Sequence, residues 1–242
     1  MTRITSFFVF ILLLLTSFSL FNFASATKNK IENTAPVVKI ISPKNNSSYK
    51  WNTQVSYSIS VSDKEDGESK YDEINGKEVV LRVKYFSNAA DANASLSEKI
   101  NEPGLTNMQT SNCFNCHDFN AKVIGPSFNE ISKRYTNTKS NFELLVKHIE
   151  EGSVGVWGKV KMPSHPELSQ EQTQKMVEWI LKNTSDPNVN YYTGTEGSFW
   201  LKAPGKQQGA FLLTATYTDH GSKEEAKQNL SGQDAVVVTS KE

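Results

Sequence analysis

Cys113-Phe114-Asn115-Cys116-His117 is the stretch on which the reading of this chain turns. It has the form C-x-x-C-H, the attachment signature of a covalently bound haem of the c type. The spacing has a physical cause. Two thiols two residues apart on a helical turn reach the two vinyl groups of one porphyrin and form thioethers. The next residue, His117, then points its imidazole at the iron from the same side. Cys113 and Cys116 are the only cysteines in the chain. A disulfide between them would close almost no loop and make a poor clamp. A thioredoxin-like redox pair wants a βαβ setting, and none surrounds the motif. A zinc site wants further Cys or His at ligand spacing, and His148, His165 and His220 do not form such a set.

The iron of such a group needs a sixth ligand or an open position. Four methionines are available, and Met1 belongs to the leader discussed below. Met108 lies just before the motif, on the same helix as the cysteines by the helical reading and so on the His117 side. Met176 falls in an apolar helical stripe with Val177, Ile180 and Leu181, where a core role is the better assignment. Met162 differs from both. It sits in Gly-Val-Trp-Gly-Lys-Val-Lys-Met-Pro, a loop shaped by glycines and by Pro163, and it follows His117 by 162 − 117 = 45 residues. That is room for two short helices to pass around a ring. Met162 is the expected distal ligand.

Residues 100–184 read as helices. Ser127 with Glu130, Ser140 with Glu143, and Ser169 with Gln172 each fit a capping box ahead of an amphipathic run, and Gly152 sits where a C-terminal cap would. Within this span IGPSFNEISKRY and EEGSVGVWGKVKMPSHPELSQEQTQKMVEWIL resemble the small bacterial class I cytochromes c. The resemblance implies their all-α fold, His117/Met162 ligation of one haem c, and electron transfer without catalysis. It also implies that the Pro126 carbonyl accepts the second ring N–H of His117, that Trp157 lies near a propionate, and that Trp179 packs the last helix on the first. Two positions depart from the pattern. His165 stands where many relatives carry an Asn that bonds the ligand sulfur, and it either replaces that bond or lies at the surface. His148 stands where relatives often carry a basic residue near a propionate. Its other reading is a solvated helix histidine. By the same resemblance the partners are redox proteins, such as a periplasmic dehydrogenase or a terminal oxidase.

The flanks have another texture. TQVSYSISVSD (53–63) alternates, placing Val55, Tyr57, Ile59 and Val61 on one face. VVKII (37–41) reads as a short buried strand, and EVVLRVKYF (78–86) puts Val79, Leu81, Val83 and Tyr85 on one side. SPKNNSSY and SDKEDGES read as turn-rich breaks. Asp63, Glu65 and Asp66 before Gly67 read as a solvated turn more readily than as a calcium loop. After the helices, FWLKA, GAFLLTATYTD and DAVVVTS return to strands. Each side offers too few strands for a sandwich of about seven. Together they resemble one bacterial Ig-like or PKD-like module. The expected architecture is a multidomain chain: a class I cytochrome c domain at 100–184 inserted between the halves, 36–99 and 185–242, of one Ig-like antiparallel β-sandwich.

The N-terminus carries Arg3, an apolar run centred on VFILLLL, and then Ala24-Ser25-Ala26, the pattern of a secretory signal peptide cleaved after Ala26. Residues 27–35 read as a flexible leader. Export to the periplasm follows, with membrane contact only if the segment stays uncleaved. Twenty-six basic residues balance twenty-six acidic ones, and without a basic patch nucleic acid is not a partner. The mean hydropathy of −0.48 excludes a polytopic membrane protein. A haem peroxidase, in which Met162 would leave the iron, would usually need a second attachment motif. An adhesion or sugar-binding module with a redox passenger would want exposed aromatics such as Trp51 or Trp200 on the sandwich.

Overall fold

The computed structural model describes residues 32–183, 186–221 and 229–241. The signal segment, its cleavage point after Ala26 and leader residues 27–31 lie outside the described residues. No helix among the described residues is long and apolar enough to cross a membrane.

The chain runs β1 (Val37–Ser42), β2 (Ser47–Lys50), β3 (Gln54–Asp63), β4 (Gly67–Glu68) and β5 (Val80–Phe86), then five helices, then four further strands. The helices are α1 (Ala89–Ala94), α2 (Pro103–Thr110), α3 (Phe128–Arg134), α4 (Lys139–Glu151) and α5 (Gln170–Asn183). The closing strands are β6 (Val189–Thr193), β7 (Glu196–Trp200), β8 (Ala210–Thr218) and β9 (Ser231–Lys241).

Two sheets form, and each mixes strands from both sides of the helices. In the first, β3 pairs with β1, β4 and β7. In the second the order is β2-β9-β8-β5-β6. Lys84 of β5 pairs with Val189 of β6, so the strands that lead into and out of the helical segment are hydrogen-bonded neighbours. Most pairs are antiparallel, but β2 runs parallel to β9.

The alternation of β3 has its usual cause. Val55, Tyr57, Ile59 and Val61 turn inward and meet Leu81, Val83, Phe211, Leu213, Tyr217 and Val238 of the second sheet in one apolar core. Cutting a side chain such as Leu213 to Ala in such a core costs about 2–5 kcal/mol. β8 does not alternate, because the second sheet is covered on both faces. Beneath it Ala210 and Leu212 meet Ala92 of α1. Gln109 of α2, also buried, donates to the carbonyls of Glu78 and Thr216 at 2.8 and 3.3 Å.

The helical segment packs on the β5-β6 edge of that sheet and shares a core with it. Val80 and Tyr191 from the strands join Phe114, Phe119, Phe128 and Trp179 from the helical segment.

Several expectations are corrected. Ser140 does not cap α4. The helix begins two residues earlier than that cap implies, with Thr138 as the cap, its side chain accepting from Asn141 N at 3.3 Å. The second half of SPKNNSSY is not a break but strand β2, which finds its partner in β9. Helix α1, with Asn88 capping it, and strand β6 were not foreseen. Asn33 and Thr34, in the segment read as a leader, are tied down: Asn33 donates to Asp219 at 2.9 Å, and the Thr34 hydroxyl donates to Glu65 at 2.9 Å. Asp63 forms a turn, its Oδ1 accepting from Glu65 N and Asp66 N at 2.9 and 2.7 Å. Among the described residues no group of three or more His, Cys, Asp or Glu could hold a metal ion.

Candidate haem site

The motif residues Cys113–Asn115 form a tight 3-10 turn entered through Asn112, whose φ of 58° is left-handed. This turn follows α2 but is separate from it, so Met108 and the cysteines do not share one helix, contrary to expectation. His117 N donates back to the Cys113 carbonyl at 3.0 Å, which fixes the ring relative to both thiols. Cys113 and Cys116 are free thiols, not a disulfide. Burial pushes the Cys113 thiol up to about 12.

After the motif the chain folds back on itself. Ile124 N and Gly125 N both donate to the Cys116 carbonyl. This return lays Pro126 beside the imidazole, and His117 Nδ1 lies 2.7 Å from the Pro126 carbonyl oxygen. A carbonyl only accepts, so Nδ1 carries the hydrogen and Nε2 keeps its lone pair. Gly125 is required here, because a Cβ at that position would collide with His117 Cε1. The other side of the ring is held by Phe128, stacked at 5.4 Å and 18°. Phe128 is fixed in turn by the capping box of Ser127 and Glu130 at the start of α3. His117 is only 9% exposed, and burial lowers its pKa. It is therefore a neutral ring with one nitrogen tied and one free.

That ring lines a cleft of about 1110 Å³, measured out to its open mouth. Cys113 and Cys116 line it too, as do Met162, Trp157, His148 and His165 from the segment between α4 and α5 and from α4 itself. Met162 is placed by backbone pairing: its N–H donates to the Ser153 carbonyl at 2.8 Å and its carbonyl accepts from Ser153 N at 3.1 Å. Gly152 ends α4 with a φ of 79°, and a Cβ there would lie 2.7 Å from the Met162 carbonyl oxygen. Met108 and Met176 are buried within the apolar core and also reach the cleft. Met162 is only partly buried and lies outside that core.

Residues 102–184 match the sequence model of the cytochrome c family. Cytochrome c-551 of Ectopseudomonas mendocina is 33% identical over 69 residues, covering 28% of this chain and 83% of that protein. Cytochrome c-551 of Azotobacter vinelandii is 32% identical over 80 residues, covering 33% of this chain and 96% of that protein. This chain belongs to the cytochrome c family. Cytochrome c-552 of Nitrosomonas europaea is similar as well, 32% identical over 92 residues, which cover 38% of this chain and 79% of its own length. The matching segment is of class I, and the cofactor of the family is covalently bound haem c, which makes this a haem-containing electron-transfer protein.

The residues fit that group. Two thiols stand on one turn, a neutral histidine offers a free nitrogen into the same cleft, and a glycine occupies the one place where a side chain would displace it. Around this cytochrome c centre the structure adds groups that sequence reasoning missed. The Arg134 guanidinium lies over Trp157 at 4.8 Å. Glu102 accepts from Trp179 Nε1 at 2.8 Å. Thr193 of β6 donates to Asp118, next to the motif, at 2.7 Å. Each joins elements far apart in sequence, so no local pattern signals it. Trp179 packs between Phe119 and Tyr191, and a Cβ on Gly104 of α2 would collide with it. Its role is structural. On the sandwich, Trp51 packs against Phe211 at 5.9 Å. Trp200 is 46% exposed, with the Lys202 ammonium 4.9 Å above its ring.

Proposed function

We propose that this chain is a periplasmic one-electron carrier in which His117 and Met162 would hold the iron of a single haem c, Cys113 and Cys116 supplying the thioethers. One observation carries the reading: His117 donates Nδ1–H to Pro126, so its Nε2 lone pair is committed to the cleft that Met162 also lines. Haem c, when bound, supplies reversible one-electron chemistry at its iron. The protein sets its terms. The Pro126 carbonyl makes His117 a better donor and fixes its orientation. The soft thioether of Met162 favours the reduced state and raises the potential. Two protein donors leave no open position for oxygen or peroxide, which argues for a carrier rather than a peroxidase. Trp157, with Arg134 behind it, and His148 suit the propionate side. The signal-like N-terminus and the family's cofactor chemistry favour the periplasm, with a dehydrogenase or terminal oxidase there as donor or acceptor.

The mount is part of the proposal. The strands on both sides of the helices make one Ig-like sandwich, and the cytochrome c domain is an insertion between β5 and β6. The adjacent pairing of those two strands supports this.

The experiment is an optical redox titration of the haem-loaded full chain. One reversible one-electron step with the near-red sulfur-to-iron absorption band in the oxidised form is expected. Met162→Ala should keep the haem attached and lose that band. A band that survives assigns the ligand to Met108 or Met176 instead.

A further inference from the structure

The cleft holds a second histidine prepared in the same way as His117. His165 lines it, with its side chain 19% exposed, and its Nδ1 lies 2.8 Å from Glu167 Oε1. A carboxylate only accepts, so Nδ1 carries the hydrogen and Nε2 of the neutral ring keeps its lone pair. Nε2 has no hydrogen-bond partner among the described residues. A carboxylate on the far nitrogen is the usual way a metal-ligating imidazole is oriented and made more basic. The backbone is held as well, since His165 N donates to the Ile149 carbonyl at 3.0 Å. His148 lines the same cleft, but among the described residues no partner fixes either of its nitrogens, so it lacks this preparation.

The backbone of Met162 is paired with Ser153, but the loop between those two residues is loosely packed. Gly152, Gly155 and Gly158 all have positive φ, and nothing lies within 4 Å of where a side chain would be at Gly155 or Gly158. Only Pro163 and Ser164 lie between Met162 and His165.

We propose that His165 is a reserve distal ligand: when the Met162 sulfur leaves the iron, His165 Nε2 takes its place. This rests on Met162 as the resting ligand. The exchange breaks one iron–sulfur bond and forms one iron–nitrogen bond. No proton moves, because the hydrogen stays on His165 Nδ1, donated to Glu167, and no electron is transferred. A nitrogen donor in place of a thioether removes the ligand that favours ferrous iron, so the potential falls. The same centre thus has a high-potential carrier state and a low-potential, still closed state.

The test uses the haem-loaded full chain and its optical and electron paramagnetic resonance spectra. Met162→Ala should lose the near-red band yet remain low-spin, with the signature of two axial imidazoles and a lowered potential. Adding His165→Ala should turn it high-spin, and external imidazole should restore the low-spin spectrum. Adding His148→Ala instead should leave the iron low-spin with the same two-imidazole signature. A high-spin Met162→Ala protein overturns the proposal while leaving Met162 as the ligand. Low-spin iron that persists without His165 also overturns it. Survival of the near-red band in Met162→Ala would overturn the ligand assignment itself.

Discussion

Tyr191 of β6 and Trp179 of α5 meet edge to face, ring centroids 4.9 Å apart, and both turn their polar ends to the single carboxylate of Glu102. Arg82 of β5 faces the same carboxylate at 3.8 Å. This cluster joins helix to strand through buried aromatics, so the haem-bearing segment and the sheets should unfold together. Melting followed by haem absorbance and by far-ultraviolet dichroism should give one midpoint. Tyr191→Ala should lower both signals together, by about 3–5 kcal/mol. Two separate midpoints in the wild type would mean that the shared core does not couple the parts.

Gly125→Ala should damage the centre specifically. The new methyl meets the His117 ring, and relieving such overpacking costs about 1–3 kcal/mol. The ring must also shift from Pro126. The expected result is a lower yield of correctly ligated haem at normal expression. Wild-type spectra in this variant would show that the ring has slack.

Glu78 makes stability depend on pH. It is 1% exposed. Burial raises its pKa, with Asp66 adding to the shift and His220, whose Nε2 lies 3.4 Å from Glu78 Oε2, opposing it. A raised folded pKa means that the native state holds the proton more tightly than the unfolded chain. The stabilisation is complete below about 4.3 and is lost as pH rises through the raised value. Glu78→Gln keeps an oxygen for the Asn75 amide and removes the charge. Urea midpoints should fall with rising pH in the wild type and stay flatter in the variant. Parallel curves would discard the idea.

His148 should give the potential a slope. Burial, then Lys147, lowers its pKa. A protonated ring near the propionates favours the more negative, reduced centre. The potential should therefore fall as pH rises through that lowered value, by less than about 59 mV per pH unit. Potentiometry of wild type and His148→Gln distinguishes the two readings of this residue, since a solvated helix histidine predicts identical curves.

Ending the chain after residue 187 removes β6 to β9, leaving β2 and β5 as the only strands of the second sheet. Residues 36–99 should then lose their fold, visible as loss of dispersed amide resonances. An N-terminal β region that stays folded would refute the insertion.

What the sequence disclosed was local. The Cys113–His117 motif, the reciprocal pairs Ser127–Glu130 and Ser169–Gln172, and the alternation from Val55 to Val61 all act within a few residues. What it concealed was distant. β2 is a strand because β9 lies beside it, with Ser47 opposite Val238, and SPKNNSSY taken alone carries only turn chemistry. Thr138 displaced Ser140 as a cap because either hydroxyl could start α4, and the packing of Tyr135 and Leu145 decides where the helix begins. Glu102, Arg134 and Asp118 belong to no local pattern. Their partners, Trp179, Trp157 and Thr193, lie more than twenty residues away in the sequence.

The pairing of β5 with β6 also orders the protein's assembly in time. Synthesis runs from the N-terminus, so the motif at 113–117 emerges before β6, β8 and β9, the strands that complete the second sheet. Until they arrive, Tyr191 cannot cover Phe119, and the core against which Cys113 packs, whose burial pushes its thiol up to about 12, is incomplete. The thiolate is the reactive species. Thioether formation therefore has its best opportunity in the newly exported chain, before the sheet closes.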